Sequence, residues 1–218
     1  MLERTDYKVN IPKFDGLFQG FKTPLNEPTG NFFYDPWLIK DKYVGTVWEK
    51  LLASLPQPHG EARVIIMEPG SSYMAHSDID NRWHLNIQGD YSYLIDLTTL
   101  QMYELKKDGY WYYMDAGKIH TASNYGSVPR VQLVVRELLT STDSSELSQV
   151  TIKPAMPQYD YRYKFDNQIS PWLNQVNKEN KIKDFEYKDE TVKFKIPVTE
   201  LSGLKLSKDF RIEVASIP

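Results

Sequence analysis

Between residues 62 and 139 the sequence alternates in short bursts with a period of two, and this pattern constrains the fold more than any other feature of the chain. Arg63-Val-Ile-Ile-Met-Glu68 reads as a buried strand stopped by Pro69-Gly70. Further short strands are expected over 82–87, 92–97, 101–105, 109–114, 120–125 and 130–138, with Gly or Asp punctuating several of the joins. Such a series, repeating every 8 to 12 residues or so, describes a sandwich or a barrel. Parallel strands need long crossovers, usually helical, and little helix fits between these segments. The 15 Tyr, 9 Phe and 5 Trp strengthen the β reading, because aromatic side chains favour pleated, half-buried surfaces.

The flanks read differently. Residues 1–40 contain Pro12, Pro24, Pro28 and Pro36 together with Gly16, Gly20 and Gly30, which argues against helix. The interspersed Phe14, Phe18, Phe21, Phe32, Phe33, Tyr34 and Trp37 predict an arm that packs on the body, and make it a candidate lid. Over 41–55, Val44, Val47, Trp48, Leu51, Leu52 and Leu55 recur at three- and four-residue steps, the signature of an amphipathic helix, which Pro56 and Pro58 end. The polar stretch 141–146 is a candidate boundary. The chain is thus divided into 1–145, a barrel with its arm and helix, and 146–218, a small α+β extension. In the extension a short helix is expected from Pro171, and strands over 191–196 and 210–214.

Composition excludes several functions. A net charge of -3 offers no electrostatic footprint for nucleic acid or an anionic membrane. No run of 18 apolar residues exists to span a bilayer. The polar start of the sequence lacks the apolar core of an export signal, so the cytoplasm is the expected compartment. With no cysteine, any metal must be held by nitrogen and oxygen.

Only four histidines are present, at 59, 76, 84 and 120. His76-Ser-Asp78 places an imidazole and a carboxylate two residues apart, on one face of an extended chain. His120 opens a later strand of the same β region. Two histidines and a carboxylate can occupy one face of an octahedral metal and leave positions for a co-substrate and dioxygen. The same donors also suit tetrahedral zinc, and a turn cap beside a core histidine would explain them with no metal at all. Arg130 lies ten residues after His120, across 124–129. If the two segments form a hairpin, Arg130 enters the same barrel mouth, where a buried guanidinium needs an anion. A dicarboxylate would supply one, and a local Asp or Glu is the alternative. In Arg82-Trp-His-Leu-Asn-Ile87 the polar Arg82, His84 and Asn86 alternate with apolar residues, so one face could line the metal cavity. His59 is read as a surface histidine in a turn-rich loop, and Tyr110-Trp-Tyr-Tyr113 as core on one face and surface on the other.

On these residues the stretch from Met67 to Leu138 resembles the aspartyl/asparaginyl β-hydroxylase group of Fe(II)/2-oxoglutarate oxygenases, including its cis-proline-hydroxylase-like branch. The matching features are Glu68-Pro-Gly70, His76-Ser-Asp78, the Arg82–Ile87 strand, His120-Thr-Ala-Ser-Asn124, and Arg130 at the family spacing. They cover about a third of the chain. The resemblance implies a mainly β fold, a double-stranded β-helix (the jelly-roll, cupin-like barrel). It also implies a dioxygenase that hydroxylates a C–H bond of an amino acid or of a peptide or protein residue, converting 2-oxoglutarate and O2 to succinate and CO2. His76, Asp78 and His120 would bind iron, and Arg130 would bind the distal carboxylate of 2-oxoglutarate. Ser72 or Tyr73, and Asn86, would make secondary co-substrate contacts, while Arg82 and His84 would engage substrate. Asp78 sets the chain apart from animal members of the group, which lack the metal carboxylate. His84 stands where those have a second arginine. The alternative is a cupin-like metal-binding or small-ligand-binding module that does not use 2-oxoglutarate.

Overall fold

Strand order in the computed structural model defines the architecture. The structure describes residues 1–11, 24–139, 147–155, 161–179, 181–204 and 209–216. In chain order the elements are β1 (Leu2–Lys8), β2 (Asn26–Pro28), β3 (Trp37–Ile39), α1 (Val47–Leu52), β4 (Ala62–Met67), β5 (Arg82–Gln88), β6 (Ser92–Asp96), β7 (Gln101–Glu104), β8 (Tyr110–Met114), β9 (His120–Asn124) and β10 (Arg130–Arg136). A second group follows: β11 (Ser148–Pro154), α2 (Tyr161–Gln168), α3 (Ser170–Lys178), β12 (Lys183–Lys188), β13 (Thr191–Ile196) and β14 (Phe210–Ser216).

The major sheet has the order β1-β8-β5-β10-β4 and the minor sheet the order β7-β6-β9, all antiparallel. Bridges Ser72↔Ser123 and His76↔His120 add the segment 72–76 to the open edge of β9. From β4 onward the chain therefore alternates: β4 major, 72–76 minor, β5 major, β6 and β7 minor, β8 major, β9 minor, β10 major. That winding is a double-stranded β-helix, the jelly-roll barrel expected from the family resemblance and one form of the sandwich or barrel that the strand series predicts.

Alternation along β5 and β10 separates two environments. Leu85, Ile87, Val131, Leu133 and Val135 face outward into a cluster with Trp48, Leu51 and Leu52 of α1. The intervening residues turn into the barrel. β10 is buried along its whole length, as expected of a strand covered on both faces. The interior has its own apolar plug of Leu94, Leu105, Tyr112, Met114 and Ala116. Trp111 on β8 faces outward, fully buried, and its Nε1 donates to Ser54 Oγ at 2.9 Å.

Three differences from the sequence reading have local causes. The helix expected over 41–55 is shorter: Gly45 at φ +74° breaks it, Thr46 caps the new start by accepting from Trp48 N, and α1 proper has six residues. Residues 2–8 of the arm expected to pack on the body do so as a regular edge strand, β1, paired with β8. The rest of the expected arm partly lies in 12–23, outside the described residues. His59 is not a surface side chain. It is 5% exposed with Nδ1 on the Gly60 carbonyl, because 57–60 tuck under β10 and Gly60 N donates to Arg136 O.

The later elements form a four-stranded antiparallel sheet, β12-β13-β11-β14, over its own core of Val150, Ile152, Phe165, Leu173, Phe185 and Phe194. The helix expected from Pro171 is α3, and the two expected strands are β13 and β14. β11, β12 and α2 carried no legible pattern. Polar contacts that tie this sheet and its helices to the barrel include Ser77 Oγ to the Asp166 carbonyl, Asn174 Nδ2 to the Asp78 carbonyl at 3.4 Å, Lys178 Nζ to Asp115 at 2.7 Å, and Phe185 N to the Tyr34 hydroxyl at 3.0 Å. No described helix is long and apolar enough to cross a membrane.

Because Trp111 joins β8 to the end of α1, Trp111→Ala is expected to destabilise the protein by about 3–5 kcal/mol. Urea denaturation followed by circular dichroism measures this. A loss below about 1 kcal/mol would mean that the outer cluster does not hold the major sheet to the helix.

Candidate metal centre

His76 and His120 meet because 72–76 and β9 are adjacent antiparallel strands. The two residues form a directly opposed pair, His76 N donating to His120 O at 2.9 Å and His120 N to His76 O at 2.8 Å. Their side chains leave the sheet on one face, with ring centroids 4.4 Å apart. Asp78 lies two residues beyond His76 and is pinned by its N–H on the Ala116 carbonyl at 2.8 Å. One donor atom from each of His76, Asp78 and His120 comes within 4.8 Å of the others.

The remaining atoms of these side chains are committed in ways that suit a metal. Nδ1 of His76 contacts the Met74 carbonyl and Nδ1 of His120 the Lys118 carbonyl, each at 2.8 Å. A carbonyl can only accept, so both rings donate from Nδ1 and turn Nε2 toward the site. Arg82 holds Asp78 Oδ1 at 3.1 Å, leaving Oδ2 to face His120 Nε2 at 4.0 Å. Burial opposes charge on Asp78, but Arg82, with His120 and His76, holds its pKa below the ordinary value. Burial lowers the His120 pKa, against the partial opposition of Asp78, so the imidazole is neutral near pH 7. Asp78 and His120 are therefore in their metal-binding protonation states. Nothing in their geometry selects iron over zinc.

A cavity of about 200 Å³ between the two sheets opens on this triad, lined also by Tyr73, Arg82, His84, Arg130, Gln132 and Val134. Arg130 is 2% exposed, and its Nε and Nη1 have no hydrogen-bond partner among the described residues. It forms no ion pair among the described residues. Its guanidinium sits 5.8 Å from the centre of the Tyr73 ring and has the Tyr73 side chain as a polar neighbour. Burial and the charges of Arg130 and Arg82 push the His84 pKa down to about 3, so this ring is neutral beside two cations.

Arg130 does not reach the cavity through a hairpin with the His120 strand. β9 belongs to the minor sheet and β10 to the major sheet, so residues 125–129 cross between layers and Arg130 faces the triad across the barrel. The structure gathers His76, Asp78, His120, Arg82, His84 and Arg130 around one chamber. Two other site candidates lie outside its lining. Asn86 donates to the Gly89 and Leu105 carbonyls at 3.0 and 2.8 Å, and Ser72 is in the bridge to Ser123, leaving Tyr73 as the residue of that pair on the chamber wall. Gln132 was missed, although its two-residue step from Arg130 on β10 marks it as facing the same way. Asp80 was missed as well. It is 2% exposed and pairs with both Arg82, at 2.8 Å, and Arg136.

Fold and site define the class: a jelly-roll barrel with a His-Asp-His cluster able to hold a divalent metal. No family model and no curated protein matches the sequence. Among solved structures, 39% of the chain is similar to CapF, a capsular polysaccharide assembling protein from Staphylococcus aureus, at 16% identity and a TM-score of 0.32. It is also similar to CapF with the inhibitor 3-isopropenyl-tropolone, at 17% identity and the same TM-score. The match spans 26% of each of those chains. A likeness this slight transfers neither activity nor ligand, and the fold assignment here rests on strand order.

Two outcomes are expected. Titration with Co(II), a spectroscopic substitute for a divalent metal, gives one site per chain that His76→Ala and Asp78→Ala abolish. Asn174→Ala weakens it by roughly ten-fold, the low end for a residue that orients a ligand. Equal affinity in all four proteins would remove the triad as the site. Second, the folded chain keeps His84 neutral down to about pH 3, whereas the unfolded chain takes up that proton near pH 6.5. Stability is therefore lost as pH falls from about 6.5 toward 3, and His84→Gln flattens that slope in denaturant melts. A bound cation would only deepen the shift. An unchanged slope in the variant would show that His84 is not the group responsible.

Proposed function

We propose that this chain is an Fe(II)- and 2-oxoglutarate-dependent oxygenase that hydroxylates a C–H bond of an amino acid or of a residue in a peptide or protein. The observation that carries the reading is Arg130. A fully buried guanidinium with two nitrogens unpartnered and no carboxylate paired to it among the described residues is costly to fold around unless an anion answers it. It points into the chamber that holds the two histidines and the carboxylate. A dicarboxylate whose far end pairs with Arg130 and whose near end reaches the metal would satisfy both ends of one cavity. The chamber's about 200 Å³ equals roughly six or seven water volumes, a size suited to a compact ligand of this kind.

His76, Asp78 and His120 would hold the metal. With 2-oxoglutarate and O2, ferrous iron supplies the oxidising chemistry: one oxygen atom enters the substrate C–H bond and the other appears in succinate as CO2 leaves. The protein's part is positional. Arg82 fixes Asp78 through Oδ1, so the carboxylate offers one oxygen rather than two. Met74 and Lys118 carbonyls fix the imidazole tautomers. Arg130 orients the co-substrate, and neutral His84 and Gln132 can share hydrogen bonds with its carboxylates without adding a charge that must be neutralised. The apolar plug below keeps the chamber closed at that end.

The test is anaerobic titration with Fe(II) and 2-oxoglutarate, following the weak visible charge-transfer band of the chelated co-substrate and then succinate formation in air. The band is expected in the wild-type protein and absent in His76→Ala. Arg130→Ala should need about 30-fold more 2-oxoglutarate, since removing one partner of a buried charged pair costs 2 kcal/mol or more. A wild-type protein that binds metal but gives neither band nor succinate would leave a metal-binding barrel without this activity.

A further inference from the structure

A second, larger cavity of about 620 Å³ lies between the barrel and the later sheet, and borders the metal centre at Asp78. Asp78 and Arg82 line both cavities. On the barrel side its walls are Phe32, Phe33 and Ile79. On the other side they are Phe165 of α2 and Phe185 and Tyr187 of β12. The aromatic walls are anchored: Phe33 packs edge-on against Phe185 at 4.7 Å, Phe32 against Trp37 at 4.9 Å, and the Arg136 guanidinium covers Phe32 and Phe33 at 4.4 and 4.7 Å.

Charge distinguishes this cleft from the Arg130 chamber. Both buried cations on its described wall are already answered, Arg136 by Asp80 and Arg82 by Asp78 and Asp80. A ligand carboxylate entering here meets no unanswered buried cation. The other charges among its described lining residues are Glu186 and Lys188, which are exposed and therefore weak partners. A zwitterionic free amino acid would lose the hydration of both ends without a buried partner for either. An amide-linked chain carries no such charges, and the volume exceeds that needed for one amino-acid side chain.

Resting on the oxygenase reading above, we propose that this cleft is the substrate site, and that the substrate is a peptide-like chain presenting an aromatic or long aliphatic side chain toward Asp78. The later sheet is then half of the substrate site rather than an appendage, with Phe165, Phe185 and Tyr187 as specificity-determining residues.

Saturation-transfer NMR on the full chain loaded with Zn(II) tests this without turnover, comparing N-acetyl-phenylalaninamide and N-acetyl-leucinamide with free phenylalanine and leucine. The blocked amides are expected to bind, and the free amino acids at least about five-fold more weakly. Phe32→Ala and Tyr187→Ala should each weaken the amides by about five-fold, as for a central aromatic anchor. Phe32 is 38% exposed, so its variant should fold even if Tyr187→Ala does not, and Ile79→Trp, which fills the cleft, should block binding. Free amino acids binding as well as the amides, no amide binding at all, or full binding in Phe32→Ala and Ile79→Trp would each overturn the proposal. Amide binding that follows these variants in a protein without the ferrous 2-oxoglutarate band would sink the oxygenase reading alone. The band without amide binding would sink this one alone.

Discussion

Everything at the centre of this protein depends on one antiparallel pairing, that of 72–76 with β9. It completes the minor sheet, closes the barrel, and sets His76 opposite His120 with both backbone hydrogen bonds made. Because side chains alternate across a strand, a slip of one residue would send one ring out of the site. The register is held on either side, by Tyr73 N on the Ala122 carbonyl and by Asp78 N on the Ala116 carbonyl. A metal site built on paired strands in this way inherits the rigidity of the sheet.

Around that pairing, buried charge is distributed unevenly. Asp80 binds two arginines, and Arg82 is shared between Asp80 and Asp78, so this side of the site is neutral and fully engaged. Arg130, across the barrel, has no anion paired to it among the described residues. The contrast assigns different ligand chemistries to the two cavities: an anion where the cation stands alone, and an uncharged chain where the cations are already paired. His84 sits between the arginines as a neutral ring, because a third positive charge there would be opposed by both neighbours and by burial.

The later sheet reaches the ligand segment directly. Asn174 of α3 donates to the Asp78 carbonyl and to Asn81 Oδ1, and packs so closely on Gly117 that a Cβ there would lie 2.4 Å from it. Ser77 bonds the Asp166 carbonyl on α2. Ser77 and Asp78, both within the ligand segment, are thus clamped by elements more than 80 positions away in sequence. An extension with no motif of its own bears on the site through backbone contacts that leave no compositional trace.

The sequence by itself determined the local elements and the inward-facing residue types. Alternation over 62–139 is a property of neighbouring residues, and burial on one face enforces it, so the barrel strands were legible. So was the set His76, Asp78, His120, Arg82, His84 and Arg130, since each lies in a strand or beside one with a definite facing. Only the tertiary structure decided which strands share a sheet. The hairpin drawn between His120 and Arg130 follows from their spacing, yet β9 and β10 lie in opposite layers, because in this winding each crossing changes sheet. Asn86 satisfies every local criterion for the cavity and is instead spent on the Gly89 and Leu105 carbonyls. The Asp80 network, the Asn174 clamp and the aromatic cleft join residues distant in sequence. Periodicity reports which way a side chain faces; what it faces depends on long-range packing that no local window contains.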